Sequence, residues 1–483
     1  MVLNKVINIV FIYILINLCY AERKLIFVYE HARHGARGPS SSYDAIFDNG
    51  TDEYEIYWGT DGELSPIGKR QHYYLGIRNK IKYVGHGKLI DEIYNPKQLL
   101  IHATNYNRTH QSIMSELYGM FEDTEEKNLT NDEKNYTMVN NKYMNNSDKD
   151  LYEKIAEHMK EIGPKINEKS FPVFNVHPFP SNRIFLVDNC IKLNNYRYEQ
   201  TGARISEYYD RFDREFGDNL TKFMNKELAF FHIYDKMKSV TDHFICDYDN
   251  QKDLTNLTKA GIDLEQFYNF SKDFYGHFIF DYFVDKYTSG LEETHLMQDV
   301  IGYMDKRIKA NKENINDTYK APKMVMDCGH DTTVGPMARF IDSAFGCGYH
   351  KFCEFACNIY FELYQEVEGE DNYTIDYYLD DQLLLNRTDY NYFKKTIEAH
   401  YWNDSYIDEF CGRKEDSDYD NKSELEKHAD LLFNISIISS ALFLIFLTST
   451  IVIFKRLKKL QNKLKENPLM ENELEGSELP ALT

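Results

Sequence analysis

Leu25-Ile26-Phe27-Val28-Tyr29 runs through Glu30-His31-Ala32 into Arg33-His34-Gly35-Ala36-Arg37-Gly38-Pro39, and this stretch decides how the chain folds. The apolar run reads as a strand buried on both faces, as in a parallel sheet covered by helices. The seven residues from Arg33 place one imidazole between two guanidiniums, where such a strand would end in a loop. A neutral imidazole is a nucleophile, and guanidiniums are forked clamps for phosphate oxygens. Together they point to phosphoryl transfer through a histidine.

Two further segments repeat the pattern of apolar strand, basic loop and helix. Gln98–Thr104 leads to Arg108 and the helix-like stretch Thr109–Phe121. Met324-Val325-Met326 leads through Cys328-Gly329 to His330-Asp331. In a parallel α/β sheet, ligands bind beyond the carboxyl ends of the strands, so three such ends predict one shared pocket. Ser65-Pro66 before Ile67–Lys80 reads as an N-cap, a proline at the first helical position and a helix. Residues 121–170 are polar and rich in Asn, Lys, Asp and Glu, an exposed insertion in which Leu151–Ile162 has a helical pattern. From Tyr196 to Lys309 helical patterns dominate, and the stripe Phe267, Phe270, Phe274, Phe278 and Phe280 reads as the core of a helical lobe. Cys357–Tyr364 and Tyr373–Leu385 read as strands, the second as an antiparallel edge hairpin.

Both ends read as targeting segments. In residues 1–21, Lys5 precedes an apolar run from Val6 to Leu18, and Cys19-Tyr20-Ala21 puts small residues at −3 and −1, as in a cleaved signal peptide. Residues 431–454 carry no charge, and Lys455-Arg456-Leu457-Lys458-Lys459 follows. A helix of that length spans about 36 Å, enough for a bilayer core of about 30 Å. The basic cluster places the tail, 455–483, on the cytoplasmic side, with 412–430 as a juxtamembrane linker. The reading is a single-pass type I membrane glycoprotein with its bulk in a lumen or outside the cell. Sequons at Asn128, Asn135, Asn145, Asn219, Asn256, Asn269, Asn316, Asn372, Asn386, Asn403 and Asn421 agree with that compartment. Of eight cysteines Cys19 falls in the leader, and the odd number remaining implies about two or three disulfides with a free thiol. Asp and Glu outnumber Lys and Arg by 77 to 56, for a net charge of −21, which argues against nucleic acid as a partner.

The string R-H-G-x-R-x-P after a strand, with R-T and H-D after two others, resembles the histidine acid phosphatases, the second branch of the histidine phosphatase superfamily. The resemblance covers residues of about 24 to 411 and is sharpest at Arg33–Pro39, Gly62–Gly76, Arg108-Thr109 and Gly329–Val334. It implies a mostly parallel, phosphoglycerate-mutase-like α/β sheet with flanking helices (22–120 and 301–411) and a smaller helical cap lobe (171–300). It also implies His34 as phosphate acceptor, Asp331 as proton donor to the leaving oxygen, and Arg33, Arg37, Arg108 and His330 as the phosphate-binding set. Neither a metal nor a cofactor is required. By the same resemblance Cys190 pairs with Cys411, and Cys246 with Cys347 or Cys353, while Cys328 reads as a buried thiol.

The physics of each role is separate from the resemblance. A phosphomonoester needs positioning and charge stabilisation, which three guanidiniums supply, and an alkoxide needs an acid within reach. Neighbouring guanidiniums disfavour a charged imidazole, so His34 is expected to stay neutral in acid, with a bell-shaped pH profile peaking on the acid side. His31 reads as a structural support for the site, and His72, His102 and His110 as ordinary packed or surface histidines. The segment Ala103-Thr104-Asn105-Tyr106-Asn107-Arg108-Thr109 departs from the family's usual Ser-Thr-Asp-x-x-Arg-Thr. Its sequon at Asn107 is expected to be unmodified. A small phosphomonoester is the expected substrate. An inositol polyphosphate or a lysophospholipid, or a non-catalytic surface-binding role, are the alternatives. A homodimer is neither required nor excluded.

Overall fold

The computed structural model describes residues 23–40, 62–122, 174–179, 190–280, 286–348, 353–367 and 371–411, with single positions at 130, 154 and 157. All lie in the first of two units, Met1–Gly412. The expected leader, most of the polar insertion, the expected membrane helix and tail, and all residues of the second unit, Arg413–Thr483, lie outside the described residues. No helix among the described residues is long and apolar enough to cross a membrane.

Seven strands form one sheet: β1 (Lys24–Arg33), β2 (Leu99–Ala103), β3 (Val176–Pro178), β4 (Met324–Gly329), β5 (Asn358–Gln365), β6 (Tyr373–Leu379) and β7 (Gln382–Asp389), in the spatial order β3-β2-β4-β1-β5-β6-β7. The pairs β3–β2, β2–β4 and β4–β1 are parallel, whereas β1–β5, β5–β6 and β6–β7 are antiparallel. The sheet is therefore mixed, which corrects the expectation of a mostly parallel one. The reason is local: β5, β6 and β7 follow one another through short connections, and a short connection can only return antiparallel. Between β6 and β7 the turn is Asp380-Asp381, both at positive φ (45° and 64°), as a two-residue hairpin of matching twist requires. The expected edge hairpin is present.

β1 is buried along nearly its whole length because side chains on both faces meet helices. Phe27 and Tyr29 join one core with Val325, Phe361, Met297, Val300, Met337 and Phe340. Val28 and Ala32 join the other, with Leu99, Ile101, Met326, Ile113 and Leu117. The second core is closed by α1 (Pro66–Tyr83) and α2 (Asn107–Met120). Ser65 caps α1 as expected, its hydroxyl accepting from the Gly68 N–H at 3.0 Å, with Pro66 in the first turn. Where the helices cross, a Cβ on Gly76 would stand 1.9 Å from the Glu116 carbonyl oxygen, so this contact needs glycine.

Between β3 and β4 the described chain is helical: α3 (Ile191–Phe212), α4 (Tyr234–Asp249), α5 (Leu264–Phe280) and α6 (Lys286–Lys312), with shorter turns between them. Phe267, Phe270 and Phe274 are fully buried with Phe212, Phe216, Phe231 and Phe244 in a core of their own, as the aromatic stripe predicted. The side chains of Phe278 and Phe280 lie outside the described residues. After β4 come α7 (Asp331–Phe345) and, beyond β7, α8 (Tyr390–Glu398) and α9 (Asp404–Cys411). Cys190 and Cys411 form the expected disulfide. The second pairing differs: Cys353 bonds Cys357, while Cys246 and Cys347 are free thiols and Cys328 is a buried one. Cys246 is enclosed beside Arg37, whose Nη1 donates to its sulfur at 3.4 Å.

Candidate active site

Register brings the site together. β1 and β4 end side by side, Arg33 opposite Gly329, and β2 ends with Ala103 opposite Cys328. The chain then leaves the sheet at three neighbouring points. The His34 N–H donates to the Gly329 carbonyl at 2.9 Å, and the Thr104 N–H to the Cys328 carbonyl at 3.1 Å. His34, Thr104 and His330 thus stand just past adjacent strand ends, the placement the three sequence segments predicted.

The loop after β1 rests on the start of α1. A Cβ on Gly68 would stand 2.1 Å from the Ala36 carbonyl oxygen, so the loop sits directly on the helix. Ser65 donates from both N–H and hydroxyl to that carbonyl, and the Ala36 N–H donates to Gln71 Oε1 at 2.8 Å. The Gly35 N–H reaches Ser112 Oγ on α2 at 3.1 Å. Gly35 and Ala36 are therefore fastened to α1 and α2.

His34 is buried, and its Nδ1 lies 2.8 Å from the Gly35 carbonyl oxygen. A carbonyl only accepts, so Nδ1 carries the proton and Nε2 keeps its lone pair. Burial holds the imidazole well below the usual histidine range, and His330, Arg108, Arg33 and Arg37 push it further the same way. The His330 ring stands edge-on to it, with centroids 5.2 Å apart.

Three guanidiniums surround this ring. Arg33 is 1% exposed, lies over the Phe355 ring at 4.3 Å, donates to the Cys353 carbonyl and pairs with Asp331 Oδ2 at 2.7 Å. Arg37 pairs through both Nη atoms with Asp242. Arg108 has no carboxylate within ion-pair distance among the described residues. Its Nη2 lies 3.2 Å from His330 Nδ1, and its plane covers the Tyr106 ring at 4.4 Å. Burial, then the nearby Arg37, lowers the Arg108 guanidinium to about 10. Arg37 and Arg108 each bury an Nε without a hydrogen-bond partner among the described residues.

His330 is the N-cap residue of α7, and Asp331 is the first residue inside that helix. His330 Nδ1 accepts from Arg108, so Nε2 donates to Thr104 Oγ1 at 2.8 Å, and Thr104 in turn donates to Thr109 Oγ1 at 3.0 Å. Burial, Arg108, Arg37 and Arg33 hold His330 well below the ordinary range, so it too is neutral. Threonines thus do the supporting work at this departure from the family string. Asn107 Nδ2 donates to Glu63 Oε1 at 3.0 Å, while the hydroxyl of its sequon partner Thr109 is committed to Thr104 and Tyr106.

All six residues singled out in the sequence, His34, Asp331, Arg33, Arg37, Arg108 and His330, meet at this one place. His31 is buried behind it, 2.8 Å from Thr333 Oγ1, which donates to the His330 carbonyl, so it supports the α7 cap as expected. His72 is packed rather than exposed, donating to the Arg33 carbonyl at 2.9 Å, and His102 pairs with Asp327. Sequence reasoning missed Asp242, Asn250, whose amide donates to the Arg37 carbonyl at 2.8 Å, and Phe355. Asp242 lies 205 positions from Arg37 on α4, where nothing local distinguishes it from a solvated aspartate.

Residues 24–380 match the family model of the histidine phosphatase superfamily (branch 2). A Caenorhabditis elegans relative of the acid phosphatases is 37% identical over 98 residues, which cover 20% of this chain and only 22% of that protein. The lysosomal acid phosphatase of Xenopus laevis is 23% identical over 363 residues, covering 74% of this chain and 69% of that one. Among solved structures, the apo phytase of Hafnia alvei aligns with a TM-score of 0.50 at 12% identity, over 79% of this chain and 97% of that chain.

Proposed function

The chain belongs to the histidine phosphatase superfamily (branch 2), and on that premise we propose that it is an acid phosphomonoesterase working through a phosphohistidine at His34. One observation carries the reading: His34 Nδ1 faces a carbonyl, leaving Nε2 as an unprotonated nucleophile among three guanidiniums. In the first step Nε2 attacks phosphorus, the P–O ester bond breaks, and the leaving oxygen takes the proton of the Asp331 carboxyl. In the second, water attacks the phosphohistidine, its proton passes to the Asp331 carboxylate, and the N–P bond breaks to release phosphate. Arg33, Arg37 and Arg108 hold the phosphoryl oxygens as charge moves, and His330 fixes Arg108 and lines the same pocket.

A phosphoryl dianion on Arg33 competes with Asp331 for the same guanidinium, so substrate binding would loosen the 2.7 Å pair and turn the carboxyl towards the leaving group. The low proton affinity of His34 suits an acidic lumen. The Cys190–Cys411 bond favours an oxidising compartment, and we place the site outside the cytosol, with residues 1–21 as leader and 431–454 as anchor. The acidic chain, without a basic run near the site, favours small monoesters over inositol polyphosphates. The test is hydrolysis of p-nitrophenyl phosphate by the purified full-length protein at acidic pH, with acid-labile versus base-stable 32P trapping. His34→Ala is expected to lose at least about a thousandfold in kcat and all trapped phosphohistidine. Equal rates in the two proteins would defeat the mechanism.

A further inference from the structure

The cluster of guanidiniums contains a carboxylate that the two-step reaction does not use. Asp242 on α4 is 4% exposed. It accepts from both Nη atoms of Arg37, at 2.8 and 3.3 Å, and from the backbone N–H and the hydroxyl of Ser40, at 3.3 and 3.0 Å. Burial alone would push its carboxyl up, but Arg37 and Ser40 outweigh burial and bring it down to about 2. At any pH where such a site works, Asp242 is a fixed negative charge.

The balance of charge then has a consequence. Arg33, Arg37 and Arg108 bring three positive charges, His34 and His330 are neutral, and Asp242 and ionised Asp331 bring two negative ones. The site holds one net positive charge before anything binds. A phosphoryl dianion takes it to minus one, and the proton Asp331 must carry for the leaving oxygen restores neutrality. Among the site residues just counted, no positive charge remains to balance a second phosphate. Without Asp242 the same residues would carry two positive charges, and Nη2 of Arg37 would be released for a phosphate oxygen, while Nη1 would keep the Gly38 carbonyl and the Cys246 sulfur.

We propose that Asp242 is the specificity-determining residue of this site. It fixes the net charge so that one phosphoryl group on an otherwise uncharged alcohol is accepted and densely phosphorylated substrates are rejected. The proposal rests on the phosphomonoesterase reading. Asp242 acts through Arg37, as a positioning residue, and through space, as a charge. The opposing account makes it a buttress that merely holds Arg37 and the Ser40 loop in place. The two accounts differ in sign, because losing a buttress weakens phosphate binding whereas losing a repelling charge strengthens it.

The full-length protein and its Asp242→Asn variant, which keeps an acceptor for Arg37, would be compared by titration calorimetry with inorganic phosphate. Their kcat/KM would also be measured for glycerol phosphate and for myo-inositol hexakisphosphate. Asp242→Asn is expected to bind phosphate at least about tenfold tighter, and to raise the ratio of hexakisphosphate to monoester turnover by a similar factor. Weaker or unchanged phosphate binding, or a ratio that stays constant while both rates fall, would overturn the proposal in favour of the buttress. Asp242→Ser, smaller and also uncharged, gives the same readout should the amide fail to fold. If the wild type hydrolyses neither ester, the monoesterase reading fails, and the phosphate titration still decides the role of Asp242.

Discussion

His34 shows how far a single residue's behaviour is set by its neighbours. A free histidine changes charge near pH 6.5, so an exposed one would be mostly protonated, and useless as a nucleophile, in an acidic lumen. Here burial comes first among the causes of a lowered proton affinity, with His330, Arg108, Arg33 and Arg37 adding to it. The form that attacks phosphorus is the neutral one, so lowering the affinity extends activity towards lower pH. The acid limb of kcat/KM, which reports the free enzyme, should therefore fall well below pH 6.5. Replacing one contributing cation reverses part of the effect: Arg108→Gln should move that limb upward by up to about one pH unit, because repulsion of the imidazolium is reduced. Burial of the ring is untouched, so the limb should still stop short of the ordinary value. A kcat/KM–pH series on the two proteins checks this, and a limb that stays put or moves down would mean that Arg108 does not act on His34.

At the level of elements, the seam between α1 and α2 carries a second proton-linked device, directly beneath the loop that holds His34. His72 on α1 donates from Nε2 to the Arg33 carbonyl, so its Nδ1, 3.0 Å from Glu116 Oε2, must accept, and Glu116 on α2 must be the protonated partner. Asn79 donates to both Glu116 and Glu30, which crowds two carboxyls into one buried place, faced also by Arg78. Burial raises Glu116 to about 7 and lowers His72 to about 4. A carboxyl raised in the folded state gives stability that is complete below its unfolded value near 4.5 and is lost as pH climbs through about 7. A histidine lowered in the folded state gives stability that is present above about 6.5 and is lost as pH falls towards 4. The two windows overlap in mild acid. Glu116→Gln keeps a donor for His72 and an acceptor for Asn79 but has no proton to lose. At pH 8 it should be more stable than the wild type by roughly 3 kcal/mol, with the difference shrinking to below about 1 kcal/mol at pH 5. Urea denaturation at the two pH values measures it, and a Glu116→Gln variant equally destabilised at both would show that Glu116 stays ionised in the seam.

For the whole molecule, what the sequence revealed and what it hid follow from the range over which each signal acts. The strand ends at 103 and 329 were legible because an apolar run, a charged or basic loop and a helix start follow one another closely, and that at 33 because the apolar run meets Arg33–Pro39 directly; the sheet register then joins all three. The antiparallel half was legible only as far as its edge hairpin, where the Asp380-Asp381 turn sets the direction of β7 against β6; nothing within Cys357–Tyr364 tells which way β5 runs beside β1. Asp242 was invisible for the same reason, since its partner lies on another element 205 positions away. Disulfides fall between these cases: Cys353 and Cys357 close a five-residue turn, whereas Cys190 and Cys411 are 221 positions apart. The long one joins the start of α3 to the end of α9 in a small cluster with Leu193, Leu291 and Ile407, separate from the cores that hold the strand ends. It should therefore act on the unfolded chain more than on the chemistry. Removing both sulfurs by Cys190→Ala with Cys411→Ala is expected to lower the unfolding free energy by about 2–4 kcal/mol while leaving kcat within about twofold of the wild type. Urea melts and steady-state kinetics on the same preparation read the two quantities. A loss of kcat in step with stability would instead mean that this bridge holds α4 and Asp242 against Arg37, coupling the end of the chain to the site.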